Sequence, residues 1–166
     1  MLLATFSTLP SEELAYNKEH IRALRGILSE QQEDLVQLRT IIDNIRNCNG
    51  VSLDQHDVEK YTAQLAQLED YQHQRFNKID EMIYRNRKEL KKAKTTDQTV
   101  ATYGKEVRKL EAGLRTSRLF VGDVIEMLAP NSQAINRVDD RIAYFEKRSM
   151  TLTAEMQELM EKMFLL

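Results

Sequence analysis

The chain has 166 residues, 30% of them charged, and a net charge of only −2, so its global balance argues against a partner drawn by charge alone, whether nucleic acid or membrane. Sparse glycine (5) and proline (2) and the absence of tryptophan suit continuous helix with few turns, in one domain or one elongated unit. The single cysteine, Cys48, excludes an intrachain disulfide and points to a reducing compartment, so a cytoplasmic or nuclear location is expected.

Residues 1–10 are apolar but lack a basic n-region and an apolar run long enough for a signal peptide or a membrane span, which predicts an N-terminal tail. A single helical unit is expected over 11–166. The first helix is expected over 11–47. Leu14, Ile21, Leu28, Leu35 and Ile42 recur every seven residues, with Leu24, Leu38 and Ile45 in a companion set that Asn17 and Gln31 interrupt. Asn49 or Gly50 can take the left-handed conformation that ends a helix.

A second helix is expected over 52–94, opened by a capping box of Ser52 and Gln55. Its start is acidic and its end basic, in line with the helix dipole. The apolar seam Val58, Tyr61, Leu65, Leu68 meets Gln72 and Arg75, then resumes a step over at Phe76, Ile79, Ile83, Asn86 and Leu90. Such a four-residue insertion is a stutter, which unwinds a supercoil locally. Between Lys94 and Thr99 no Gly or Pro intervenes, but dense Thr, a change of seam phase and the cap candidates Thr95, Thr96 and Asp97 favour a turn over one continuous rod.

The third helix is expected over 97–128, on Val100, Tyr103, Val107, Leu110, Leu114, Val121, Val124 and Leu128, with Ser117 the polar member. Gly104, Gly113 and Gly122 each weaken a helix, and close approach of a neighbouring helix would explain their presence. Pro130 closes the segment. A fourth helix is expected over 132–164, through Ile135, Val138, Ile142, Phe145, Leu152, Met156, Leu159, Met163 and Leu166, with Ser149 in register.

Four such segments predict an all-α fold of long antiparallel helices with heptad repeats, either coiled-coil hairpins or an elongated four-helix bundle. The seams are mostly two residues wide per heptad, which favours the slender assembly, a homo- or hetero-oligomer held by coiled-coil packing. Polar seam residues Asn17, Gln31, Gln72, Arg75, Asn86, Ser117 and Ser149 either specify register or face water where the seam rotates.

Chemistry is poorly represented. A bundle metal site needs paired Glu-x-x-His motifs, whereas Asp70-x-x-His73 occurs once, and exposure is the default for His20 and His56. Cys48 has no neighbouring base, and no phosphate-binding glycine loop occurs, so no enzyme, cofactor or metal is expected. Two contact surfaces stand out instead. Residues 85–94 hold six bases (Arg85, Arg87, Lys88, Lys91, Lys92 and Lys94) against one acid, Glu89, a candidate contact for an acidic partner. Leu152, Met156, Leu159, Met160, Met163 and Phe164 form a methionine-rich candidate docking face for a helix.

These readings predict a non-enzymatic protein–protein interaction module, a structural or adaptor subunit acting through coiled-coil association. An alternative is a binder of nucleic acid or anionic membrane through the basic cluster. In architecture alone the chain resembles coiled-coil adaptors of trafficking and cytoskeletal complexes, and small helical chaperone or stalk proteins of secretion machines. That likeness implies a scaffold or chaperone role as a further alternative.

Overall fold

The computed structural model describes residues 10–48, 53–90 and 97–165, all helix and connecting turns, with no strand among them. The helices are α1 (Pro10–Asn47), α2 (Gln55–Leu90), α3 (Gln98–Arg115), α4 (Val121–Glu126) and α5 (Ala134–Phe164). At about 1.5 Å per residue, the 38 residues of α1 make a rod of roughly 57 Å.

Side-chain pairs give the topology. α2 returns antiparallel to α1, since Leu14–Leu28 of α1 packs with Ile79 and Ile83, and Leu35–Ile45 packs with Tyr61, Leu65 and Leu68. α3 reverses against α2, as Arg87 pairs with Glu111 and Arg115 with Asp80. That reversal separates the second and third helices, as the threonine-rich stretch suggested. α5 is antiparallel to α1, and its contacts recur at seven-residue steps on both helices: Arg25 to Met160, Gln32 to Thr153, Arg39 to Glu146 and Arg46 to Asp139. The result is an up-down-up-down bundle in which α3 and α4 share the third column.

Of the two architectures expected, the helices pack within the chain as the elongated bundle. α1 buries a third residue in each heptad, Glu13, His20, Ile27, Asp34 and Ile41, beside the two sets legible in its sequence. Three of these five are polar, so hydrophobic periodicity does not register them. A stripe three residues wide is what a helix needs to meet several neighbours at once, and α1 packs against α2, α3 and α5.

The third helix is not continuous over 97–128. It ends at Arg115, and a short α4 follows after Thr116–Phe120. Ser117, the polar seam residue, lies at this break, its hydroxyl bonded back to the Leu114 carbonyl at 2.6 Å. Such back-bonding by serine competes with continued helix. Two side chains from other helices satisfy the backbone groups that the break frees. Gln31 donates to the Ser117 carbonyl at 2.8 Å, and Gln72 accepts from the Leu119 amide at 3.2 Å. This polar layer separates two apolar cores, one around Ile21, Ile79, Leu114 and Met156, the other around Ile42, Leu65, Val121 and Val138.

Other expectations resolve locally. At the start of α2, Asp54 accepts from the Asp57 amide at 2.7 Å, and Gln55 donates to Glu59 one turn on at 3.1 Å. Ser52 itself, Thr95, Asn49, Gly50 and the tail over 1–9 lie outside the described residues. Asp97 caps α3 through the amides of Thr99 and Val100. Of the three glycines in the third segment, Gly113 alone meets a neighbouring helix closely: a methyl there would stand 2.7 Å from Leu152 Cδ2 of α5, whereas Gly104 and Gly122 face open space.

Candidate functional site

The docking face drawn from α5 is used inside the chain. Leu152, Met156, Leu159, Met160 and Met163 are buried among α1 and α3. Phe164 alone is exposed, at 48%, and it lies under the cations of Lys18 and Arg22 at 4.9 and 4.7 Å. The face is therefore core, and methionine fills irregular gaps there.

The basic cluster divides. Arg85 stands in solvent with its side chain 75% exposed and only a long contact to Glu81, 3.9 Å away. Lys88 is also exposed, next to the exposed Tyr84 one turn earlier on the same face. Arg87 turns inward to Glu111 at 3.4 Å. Lys91, Lys92 and Lys94 lie outside the described residues.

Arg87 also belongs to a cleft of about 660 Å³ between α1, α2 and α3, in the half of the bundle that holds the start of α1. Its floor is polar. Glu13 and Asn17 come from the third and second buried stripes of α1, four residues apart and so on one face. Asn86 comes from α2 and Glu111 from α3. Glu111 is 2% exposed and accounts for its burial: His20 Nε2 lies 3.1 Å from one carboxylate oxygen and Arg87 approaches the other. His20 is thus buried, against the expectation of exposure, while His56 is exposed as expected.

Asn17 and Glu13 are different. Asn17 is fully buried, yet neither its Oδ1 nor its Nδ2 has a hydrogen-bond partner, and Glu13 Oε2 has none either. Burial pushes the Glu13 carboxyl above its ordinary range; Arg108 opposes that shift and Asp97 adds to it. Lys105 and Arg108 stand exposed at the rim, and Leu90, Ala101 and Val107 supply apolar wall.

Sequence periodicity singled out Asn17 as a polar interruption but missed Glu13, His20 and Glu111. The available signal was their own spacing, since Glu13, His20 and Asp34 recur at multiples of seven alongside Ile27 and Ile41. No group of three or more metal-ligating side chains gathers among the described residues, and Asp70 and His73 both face solvent. No described helix is long and apolar enough to cross a membrane.

Fold and site together define a single-chain antiparallel four-helix bundle with a polar, cation-rimmed cleft beside the basic end of α2. No protein-family model matches the chain, and no curated protein or solved structure gives a significant match.

Proposed function

We propose that the chain is a non-enzymatic helical interaction module, a structural or adaptor subunit that presents a preformed four-helix block to an acidic protein partner. The observation that supports this reading is the division of its surfaces. The apolar stripe of α5 is consumed within the chain, while Arg85 and Lys88 stand exposed at the end of α2 beside exposed Tyr84. Arginine and tyrosine are among the side chains enriched where interfaces concentrate their binding energy. In sequence, Lys91, Lys92 and Lys94 continue the same positive run.

The exposed Tyr84 among these bases also suits a second reading, since an aromatic beside cations can stack on the bases of a single strand. One measurement separates the two. The full chain is titrated by fluorescence anisotropy with a labelled oligoglutamate peptide and with a single-stranded oligonucleotide of equal charge. The interaction reading expects the peptide to bind and an Arg85→Glu/Lys88→Glu double variant to lose it. Tighter oligonucleotide binding with a steep salt dependence would overturn it in favour of a phosphate binder.

A further inference from the structure

From the buried, unpartnered groups of the cleft we infer a binding site for a free amino acid: a small zwitterion whose ammonium meets Glu13 and the Asn17 carbonyl, and whose carboxylate meets the Asn17 amide and the rim cations Arg108 and Lys105. This goes beyond the interaction reading and does not depend on it.

The argument starts from Asn17. It occupies the seam set that elsewhere holds Leu24, Leu38 and Ile45, where an aliphatic side chain would pack at no polar cost. Instead a carboxamide is fully buried with both ends unpaired. A buried donor or acceptor without a partner costs about 1–3 kcal/mol, so this position is disadvantageous unless a group from outside completes it. Gln31, in the same set, shows the contrast: its carboxamide donates to both Gln72 and the Ser117 carbonyl.

The unmet valences specify the ligand. Asn17 offers one donating and one accepting end side by side, and Glu13 Oε2 adds an acceptor one turn away. A ligand must therefore bring donors to the floor and an acceptor next to them. Positive charge at depth answers a carboxylate that burial has made costly to ionise. Negative charge toward the mouth answers Lys105 and Arg108. An α-amino acid carries both charges a short distance apart, and its side chain would lie along Leu90, Ala101 and Val107, which selects an aliphatic one. Glu111 does not compete for the ammonium, because His20 and Arg87 already engage its two oxygens. Gly104 leaves the cleft open, with no heavy atom within 4 Å of where a Cβ would sit.

The test is titration calorimetry of the full chain with each of the twenty protein amino acids. Saturable binding is expected for leucine, isoleucine, valine or methionine. Removing either charge, as in 3-methylbutylamine or 4-methylpentanoate, should weaken binding by about tenfold or more, because the matching polar group is then left buried and unpaired. Asn17→Leu removes the unpaired carboxamide and Gly104→Leu fills open space on a helix, so both are expected to keep the fold by circular dichroism while abolishing binding. In the unaltered chain, the side-chain amide protons of Asn17 should shift in the nuclear magnetic resonance spectrum as leucine is added. No binding by any of the twenty, equal binding by the singly charged analogues, or an unmoved Asn17 amide each overturns the proposal.

Discussion

Gln31 and Gln72 face each other as a reciprocal amide pair, each donating to the other's carbonyl at 3.1 and 2.7 Å, in the layer where the third column of the bundle breaks. The pair also holds the ends of that break, through the Ser117 carbonyl and the Leu119 amide, and takes Asp34 and Arg75 into the same network. Two glutamines that read as interruptions in two apolar seams thus act as caps for a third segment.

Because the two glutamines, Asp34, Arg75 and the broken backbone bond one another, removing one strands its neighbours. Gln31→Leu and Gln72→Leu should each lower stability by about 2–4 kcal/mol. The double variant should cost less than the sum, since each single change strands the other glutamine of the reciprocal pair and the double variant removes both. Urea denaturation of the three variants measures this, and strict additivity would show that the two amides act independently.

Gly113 and Gly104 should respond in opposite ways to the same substitution. At Gly113 an added methyl meets fully buried Leu152 at 2.7 Å, and overpacking costs about 1–3 kcal/mol. That exceeds the gain in helix propensity of about 1 kcal/mol, so Gly113→Ala is expected to lower the Tm. Gly104→Ala meets nothing and should gain about 0.5–1 kcal/mol. Thermal melts of the two single variants decide it.

Glu13 sets a pH dependence whose sign is fixed by its raised pKa. In the folded chain it holds its proton to higher pH than in the unfolded chain. Stability therefore falls as pH rises from the ordinary carboxyl value of 4.5 through the raised folded value, and is regained on acidification through the same window. The groups bearing on it are Arg108, which opposes the shift, and Asp97, which reinforces it. Glu13→Gln removes the ionisation, so it should raise the Tm at neutral pH and lose that advantage below the window. Melts across pH 4 to 8 test both arms, with pH 4.5 marking the lower edge.

His20 and Glu111 support each other in the bundle interior at 3.1 Å. Glu111→Ala leaves His20 buried without its partner and should cost about 2–3 kcal/mol. Replacing both with leucine should recover most of the loss, because a buried polar pair exchanged for apolar packing is often neutral. Arg87, whose side chain is 61% exposed, contributes less, and Arg87→Ala should cost under about 1 kcal/mol. Chemical denaturation of this set checks the ranking.

The fold was legible where one rule dominates. Leu14, Ile21, Leu28, Leu35 and Ile42 announce α1 because an apolar residue every seven places must share a face. The turn between α2 and α3 was legible in the cap-forming residues that include Asp97. The break at Ser117 was not, since a lone serine in an otherwise unbroken seam is also tolerated within a helix. The freed backbone there is satisfied by two glutamines from other helices, Gln31 donating to the Ser117 carbonyl and Gln72 accepting from the Leu119 amide. The candidate site was half legible: Arg87 and Asn17 stood out, but Glu13 and Glu111 look like ordinary charged residues until three helices enclose them.

Periodicity, capping residues and scarce glycine and proline determined by themselves that this chain is a set of long helices with apolar stripes. These are local properties, carried by residues within a turn or two of each other. Only the tertiary structure decided that the stripes meet within one chain, that the methionine face of α5 is core, and that Glu13 and Asn17 lie at the floor of a cleft. Those outcomes depend on which helix faces which. Those facings bring together residues far apart in sequence, such as Gln31 with Gln72 and His20 with Glu111, which no local pattern encodes.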